Sequence, residues 1–397
     1  MEMGETMDNV QDRNPVAIKK RIRDFRTKQK MPYEFKVEYA KIRAQEFVRE
    51  CEARGLNYYI SVGGLDSITL LCFLRSIHID CPAISVSGLE DKSIQEIHKK
   101  LGVIKILPSI RYMNPNGTPH RWSKVEIINE FGFPVVSKSV AKRVAYLANP
   151  SERNAQYRRA IVTGETVSGS GIAERVRLPK RWLKLFAGYE NERLGTNYQI
   201  PPFKISANCC FYLKEKPLND WAKEHNAVPF VGLMASEGGQ RELALKKNGC
   251  NYFGKKTIRS APFAIFQRQD LLQLALDLNV PVPEIYGSIE RKPDGTLYTT
   301  KAQRTGCGMC GFGIHVEKRP NRFDQLRKSN PKLWKFWMYD CCKDENGNKF
   351  GWARVLDYIG IPHLSEEPAT HNTMQGVLEF GEEQNDICRQ CGNNSCK

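Results

Sequence analysis

The sequence has 397 residues, enough for two or three domains, and its 41% hydrophobic and 26% charged residues are typical of a globular protein with a buried core. It contains no run of about eighteen apolar residues, which argues against a membrane span. Residues 1–14 are polar and have no apolar stretch, so they do not resemble a secretory signal, and we expect a cytoplasmic protein.

The net charge of +16 is concentrated in two windows. Residues 13–30 contain eight lysines and arginines against one aspartate, and residues 138–184 contain eleven against three glutamates. Such clusters are typical of proteins that bind a polyanion, either a nucleic acid or a multiply phosphorylated nucleotide. Solvated faces of ordinary helices would give the same pattern, so both interpretations stay open.

Residues 1–56 are predicted to form a basic helical arm, with apolar residues at helical spacings over 16–56 and Gly55 as the stop. Short β-rich runs then alternate with helical patterns, which indicates an α/β fold with a parallel sheet flanked by helices. In chain order, we predict strands at 57–62, 82–87, 103–107 and 230–234, and helices at 67–75, 92–101, 217–225 and 269–278.

Two further parts follow the arm. Residues 57–300 are predicted to form the nucleotide-binding domain, interrupted at about 138–200 by a basic, less periodic insertion or lid that is rich in Gly and Ser. Residues 301–397 are predicted to form a helical, cysteine-rich C-terminal module, with helices near 321–340 and 352–359.

A phosphate loop is predicted at residues 61–67, where a strand ends in Gly63 and Gly64 and a helix opens at Asp66 and Ser67. Glycines allow a tight turn and let the backbone approach an anion. The helix N-terminus offers free N–H groups and a positive dipole to phosphate oxygens. Ser67 can add a hydroxyl donor, and Asp66 can hold Mg²⁺ or cap the helix; an ordinary strand-to-helix turn with an Asp cap is the alternative.

This loop resembles the SGGxDS loop of PP-loop adenine-nucleotide α-hydrolases, and further segments are similar to the phosphoadenosine phosphosulfate (PAPS) reductase family within that superfamily. Residues 87–90 resemble the family's TGLE turn, and 208–217 its CC-x-x-x-K-x-x-P segment. Residues 232–241 resemble G-x-x-A-x-E-S-x-x-R, and 262–270 resemble P-L-x-x-W-x-x-x-D. These segments follow the family's order over about residues 57–360.

The resemblance implies a Rossmann-like PP-loop fold that binds ATP or phosphoadenylyl sulfate together with Mg²⁺. Asp66 would position the metal, Glu237 would orient a ligand or the metal, and Arg241 would hold an outer phosphate. The residues implied to bind the nucleotide are Ser61, Gly63, Gly64, Asp66, Ser67, Gly88 and Glu90.

Two positions depart from the family pattern. Val62 replaces the serine expected immediately before Gly63, and strand alternation makes substitution by Ser61 doubtful. Gly238 replaces the serine of the E-S-x-x-R element. Both changes remove hydroxyl groups from the expected anion site, which raises the question of reduced or lost nucleotide hydrolysis.

The thirteen cysteines favour metal, cluster or redox chemistry over disulfides, because neighbouring cysteines rarely both find disulfide partners and a cytosolic chain keeps thiols reduced. The vicinal pair Cys209 and Cys210 and the CxxC unit Cys307 and Cys310 supply four thiolates. This spacing resembles the [4Fe–4S] ligands of adenylyl-sulfate reductases; tetrahedral zinc and unligated thiols are the alternatives. Redox or sulfur-carrying thiols, bound zinc and a flexible terminus are open for Cys388, Cys391 and Cys396, whereas core packing is favoured for Cys341 and Cys342.

Three functions follow: reduction of a phosphosulfate, an ATP pyrophosphatase that adenylates a target to support sulfur insertion (as proposed for DNA-phosphorothioation relatives of the family), and a catalytically weak nucleic-acid-binding protein. The family's ECG-H reductase motif is absent, which argues against the first. Both basic windows favour the second and third, and the altered loop favours the third. We predict the second, with nucleic acid contacting 13–30 and 138–184; a homo-oligomer is one option for its assembly.

Overall fold

A computed structural model describes residues 15–86, 90–165, 176–188, 190–191, 196–255 and 257–365. Its strands are β1 (Asn57–Ser61), β2 (Ala83–Val86), β3 (Ile104–Ile106), β4 (Ile110–Met113), β5 (Pro119–Arg121), β6 (Glu190–Asn191), β7 (Thr196–Asn197), β8 (Ala227–Val231), β9 (Asn251–Gly254), β10 (Thr257–Ser260), β11 (Ile289–Arg291), β12 (Leu297–Thr299), β13 (Cys342–Lys343) and β14 (Lys349–Phe350).

The helices surround these strands and carry most of the buried apolar residues. They are α1 (Pro15–Gln29), α2 (Tyr33–Ala53), α3 (Leu65–Ser76), α4 (Lys92–Lys100), α5 (Lys124–Phe131), α6 (Lys138–Ala148), α7 (Ala155–Thr163), α8 (Lys180–Phe186), α9 (Asn208–Cys210), α10 (Lys216–Glu224), α11 (Gly239–Asn248), α12 (Arg268–Asp277), α13 (Arg322–Ser329), α14 (Pro331–Lys335) and α15 (Trp352–Tyr358).

The central sheet has six strands in the order β3-β2-β1-β8-β10-β9. Strand β1 pairs in parallel with β2 on one side and with β8 on the other, where Ser61 stands opposite Val231. At one edge β9 runs antiparallel to β10, while the other pairs are parallel. The predicted α/β fold, a mostly parallel sheet flanked by helices, is therefore confirmed.

A first hydrophobic core lies between this sheet and helices α2, α3 and α12. Helix α3 is apolar on nearly every side and contributes Leu65, Ile68, Leu70 and Leu74, all with no exposed surface. A helix that is hydrophobic all round must be buried. Its N-terminus is thus fixed directly behind the turn that follows β1.

The range predicted to be helical, 16–56, contains two helices, because the structure divides it into α1 and α2 at Met31 and Pro32. Proline has no N–H for the helical ladder and disfavours helical geometry in the residue before it. The stop at Gly55 is confirmed: α2 ends at Ala53, and Gly55 has φ of +64°, which glycine adopts without a steric cost.

The strand predicted at 230–234 is displaced, since β8 begins at Ala227 and ends at Val231. A Cβ on Gly232 would lie 3.0 Å from both the Asp66 carbonyl oxygen and the Ser67 nitrogen. The chain therefore leaves the strand at a glycine, where its backbone packs against the start of α3.

A second core joins the region after β5 to the C-terminal helices. Residues from α5, α6, α8 and the segment 203–213 pack with residues from α13, α14 and α15, and Trp352 and Leu183 have no exposed surface. The segment predicted to be weakly periodic thus contains three helices, each with a buried apolar side. The boundaries predicted at 57–300 and 301–397 remain predictions.

Among the helices of the described residues, none is long and apolar enough to cross a membrane.

The N-terminal helices are tied to the first core by a buried ion pair. Lys36 Nζ lies 2.7 Å from Asp270 Oδ2, and the two side chains are only 6% and 11% exposed. Asp270 also accepts a hydrogen bond from the Gln267 N–H, which caps α12. Breaking such a pair leaves an uncompensated charge in a low-dielectric environment.

We therefore expect Lys36→Met to lower the free energy of unfolding by about 3 kcal/mol, measured by chemical denaturation. The exposed Lys41, on the same helix, gives a matched control, and Lys41→Met should change it by less than about 0.5 kcal/mol. Equal losses in both variants would contradict a special role for the buried pair.

Candidate nucleotide and thiol site

The turn after β1 lies between the ends of β2 and β8, at the point where the strand order changes direction in the sheet. Ligands of open α/β sheets bind in this crevice, beyond the carboxyl ends of the strands. Val62 is only 4% exposed and belongs to the first core, and its N–H extends the pairing with β2 by donating to the Ile84 carbonyl. The departure from the family's serine thus places a core residue at the end of β1.

Within the turn, Ser67 closes a local hydrogen-bond ring. The Gly63 N–H donates to Ser67 Oγ at 2.7 Å, and that hydroxyl donates to the Gly64 carbonyl at 2.9 Å. The first N–H group of α3, that of Leu65, donates to Tyr286 Oη at 3.1 Å. The turn is therefore held by Ser67 from within and by Tyr286 from outside.

Gly64 is required by the neighbours of the turn. A Cβ at this position would lie 2.3 Å from Tyr286 Oη and 3.1 Å from Thr305 Oγ1. These two hydroxyls share a hydrogen bond of 2.7 Å. The second glycine of the motif is therefore needed for close packing, whereas a Cβ on Gly63 would lie an ordinary 3.6 Å from Glu90 Oε1.

His98, from the last turn of α4, supports the loop from the other side. Its ring is 1% exposed, and Nε2 lies 2.8 Å from the Gly63 carbonyl, so this nitrogen carries the proton in the neutral ring. Burial lowers the pKa of His98, although the Gly63 carbonyl and Glu90 oppose that effect. The neutral imidazole is thus the form that holds the loop.

Two carboxylates flank the start of α3, each with an arginine partner. Asp66 pairs with Arg268, and Glu237 pairs with Arg241 at 2.6 Å. Burial raises the pKa of Asp66, with Glu237 adding to the rise and Arg268 opposing it. Glu237 therefore contributes to the electrostatic environment of Asp66.

Gly238, at the second departure from the family pattern, follows Glu237 with φ of +76° and ψ of −175°. This is a region of backbone space open essentially to glycine alone. A serine here would be strained, so glycine at this position follows from the local geometry.

Glu90 connects the glycine turn to the cysteines. Its Oε1 accepts a hydrogen bond of 2.8 Å from Lys214 Nζ, and its side chain is 9% exposed. Lys214 lies on a π-helical turn between α9 and α10, four residues after Cys210. Burial alone would lower the pKa of Lys214, but Cys307 and Glu90 outweigh it and raise that pKa above its usual range.

The four predicted cysteine ligands share one neighbourhood. Burial raises the pKa of Cys209 to about 12 and of Cys210 to about 11, and the other predicted thiols contribute to both shifts. Burial also raises the pKa of Cys307, against Lys214. Within the described ranges, however, no group of three His, Cys, Asp or Glu side chains stands at metal-ligand spacing. The donor chemistry suits four-thiolate ligation, whereas the thiols are not arranged as ligands.

The predicted site residues fall in three groups. Gly63, Gly64, Asp66, Ser67, Glu90 and Glu237 lie around the crevice, with Ser61 half-buried at the end of β1 and Arg241 59% exposed. The four cysteines meet this group through Lys214. Gly88 lies outside the described residues, as do Cys388, Cys391 and Cys396.

Sequence reasoning did not single out Lys214, His98, Arg268, Tyr286 or Thr305. Lys214 falls on the lysine of the CC-x-x-x-K-x-x-P segment, and that motif could have identified it. Buried polar His98 interrupts the apolar side of α4. Tyr286 and Arg268 contact the loop from more than 200 residues away, and no local pattern marks them.

The sequence matches no protein-family profile and no curated protein. Among solved structures, the chain is similar to a phosphoadenylyl-sulfate (PAPS) reductase from Candida auris in a phosphate complex, with 12% identity, 67% of this chain and 98% of that chain covered, and a TM-score of 0.31. It is also similar to an NAD⁺ synthetase from Burkholderia pseudomallei, with 14% identity, coverages of 80% and 94%, and a TM-score of 0.29. At such scores these likenesses carry no argument about function.

The packing around the loop predicts opposite outcomes for its two glycines. Gly64→Ala should lower the free energy of unfolding by about 1–3 kcal/mol, because the new methyl group would displace the buried Tyr286 hydroxyl. Gly63→Ala is the matched control and should leave stability within about 0.5 kcal/mol. Chemical denaturation measures both, and a larger loss for Gly63→Ala would contradict this packing.

Proposed function

We propose that this chain is a PP-loop-type enzyme that binds ATP with Mg²⁺ and releases pyrophosphate, adenylating a target in support of sulfur transfer. The observation that carries the proposal is the bridge formed by Glu90 and Lys214 between the glycine turn at the sheet's crevice and the cysteine cluster. The order of the sequence segments that resemble the PAPS reductase family supports the same class.

The phosphates would lie against the turn and the start of α3, where the helix dipole favours anions. The Gly63 and Leu65 N–H groups would exchange their bonds to Ser67 Oγ and Tyr286 Oη for bonds to phosphate oxygens. Three cationic side chains are paired with carboxylates of the predicted site: Arg268 with Asp66, Arg241 with Glu237 and Lys214 with Glu90. Each is already oriented by a carboxylate, which reduces the ordering needed when phosphate binds.

Mg²⁺ would be held by Asp66 and Glu237. This ion is usually held by one or two carboxylates together with substrate phosphates and water, and does not need a cage of protein ligands. Asp66 and Glu237 would supply those carboxylates. When bound, the ion neutralises charge that develops on the pyrophosphate leaving group.

Val62 and Gly238 do not by themselves exclude this activity. Val62 is a core residue, and Ser67 supplies the hydroxyl that the turn uses. Gly238 permits the backbone turn that sets Glu237 beside the start of α3. The remaining contacts to the phosphates would come from backbone N–H groups and cations.

Cys209, Cys210, Cys307 and Cys310 do not stand at ligand spacing, so they would have to close around a [4Fe–4S] cluster in order to hold it. The cluster would supply the electron or sulfur chemistry. Against the effect of burial, Lys214 lowers the pKa of Cys307 and Lys124 lowers the pKa of Cys209. Cations near thiolates favour the deprotonated form that ligation requires. The raised pKa values mean that cluster binding would release protons from these thiols.

Pyrophosphate release from ATP in the presence of Mg²⁺ tests the nucleotide chemistry. Lys214→Met removes a cation at the crevice and should reduce release by about tenfold or more, as expected for lost hydrogen bonds to charged groups. Lys216→Met is the matched control, because Lys216 lies on the next turn paired with Asp220 and 42% of its side chain is exposed. Release should also require Asp66, tested by Asp66→Asn.

A wild-type protein that binds no ATP and releases no pyrophosphate would refute the proposal. Sulfite release from phosphoadenylyl sulfate, without pyrophosphate release from ATP, would assign the chain to reduction instead.

The cluster is tested separately by anaerobic purification and iron and sulfide analysis. Wild-type protein should absorb in the iron–sulfur charge-transfer region, and Cys310→Ser should lose most of its iron. Cys72→Ser, on α3 away from the four thiols, should keep it. A colourless, iron-free wild type would refute the cluster, and zinc in its place would assign a structural metal.

A further inference from the structure

Helix α6 leads away from the thiol site with a basic and aromatic side. Lys138, at its first position, pairs with Glu215, and Glu215 follows Lys214 on the π-helical turn. Burial lowers the pKa of Lys138, with Arg241 adding to that effect and Cys210 opposing it. The start of α6 is therefore part of the rim of the site described above.

Lys138, Lys142 and Tyr146 are spaced four residues apart and lie along one side of this helix, over about 12 Å. The opposite side packs into the second core through Ala141, Val144 and Leu147. We name Lys138, Lys142 and Tyr146 the α6 track. It presents two cations and then an aromatic ring, starting at the site.

The aromatic end of the track is formed by two exposed tyrosines. Tyr146 is 46% exposed and Tyr157, from α7, is 39% exposed, and their rings meet edge to face with centroids 5.1 Å apart. Exposed aromatic rings beside cations are the elements from which proteins build platforms for unpaired bases. Arg153 and Arg159, also exposed on this part of the chain, extend the positive surface.

The other basic window, in its described residues 15–30, has no exposed aromatic ring. On α1 and α2 the ring of Tyr39 is covered by Lys28 and Arg43, whose charged groups lie 4.9 and 5.2 Å from its centroid. Phe25, the buried residue of α1, packs into the first core. The α6 track therefore combines accessible rings, cations and continuity with the site.

We propose that a single-stranded nucleic acid binds along the α6 track, with phosphates at Lys138 and Lys142 and a base against Tyr146 and Tyr157. The proposal rests on the proposed function, for which it supplies the acceptor: the strand would present a nucleotide at the rim of the crevice. DNA and RNA share this chemistry, and the experiment separates them.

Fluorescence anisotropy with the full-length protein tests the track, using labelled single strands of about twelve nucleotides, as DNA and as RNA, and a duplex of the same sequence. Single strands should bind more tightly than the duplex. Of the two single strands, DNA or RNA, the one that binds more tightly identifies the acceptor. Tyr146→Ala should weaken binding about tenfold, whereas Tyr146→Phe should retain it because stacking needs only the ring.

Lys142→Glu and Lys20→Glu form a matched pair, because both residues are exposed and the two changes alter net charge equally. Lys142→Glu should weaken binding more and reduce the salt dependence of the affinity. Equal effects, with no effect of Tyr146→Ala, would show diffuse charge attraction and overturn the track. Tighter binding of the duplex, or no binding of any oligonucleotide, would also overturn it.

ATP binding by equilibrium dialysis distinguishes the two proposals. Tyr146→Ala should bind ATP as wild type does, since Tyr146 lies two helical turns from the rim. Intact ATP binding with no oligonucleotide binding would refute the track alone. Oligonucleotide binding that depends on Tyr146, without ATP binding, would refute the nucleotide chemistry and leave a nucleic-acid-binding protein.

Discussion

The parallel pairing of β1 with a strand on each side is the constraint on which the candidate site depends. It brings the ends of β2, β1 and β8 to one edge of the sheet, so the loops that follow them must share limited space. Gly232 leaves β8 against the backbone of Asp66 and Ser67, and Gly64 turns against Tyr286. Both contacts exclude a Cβ. The two glycines are therefore consequences of strand pairing, whatever ligand the crevice receives.

At the same edge, an ion pair joins the segment that follows β2 to the second hydrophobic core. Glu90 follows β2, whereas Lys214 lies on the π-helical turn between Cys209 and α10, and both Cys209 and Leu213 belong to the second core. The Glu90 side of this ion pair is largely buried, so loss of the lysine would leave an uncompensated buried charge and destabilise the fold. A change at either core therefore reaches the other through a defined contact. This arrangement gives a physical route by which a nucleotide in the crevice could alter the thiol site.

The sequence was informative where local chemistry decides structure and uninformative where distant segments meet. The β-rich run and glycines at 57–64 correctly predicted a strand followed by a tight turn. Pro32 carried a breaking signal that the helical spacing around it obscured. The helix α6 was missed because its apolar side is short and surrounded by charges. Tyr286 could not be predicted as a neighbour of Gly64, since the contact forms only when segments more than 200 residues apart pack together in the first core.

Electrostatics links the parts of the proposed function. The cations around the crevice are each paired with a carboxylate, so an incoming polyphosphate must compete with Asp66, Glu237 and Glu90 for its partners. In the proposed function Mg²⁺ would relieve that competition by binding the displaced carboxylates and the phosphates together. Each ligand would thus bind more tightly when the other is present, and by linkage the gain is equal in both directions. Lys138 is likewise paired with a carboxylate, that of Glu215, and a phosphate of a strand on the α6 track would compete with Glu215 for it.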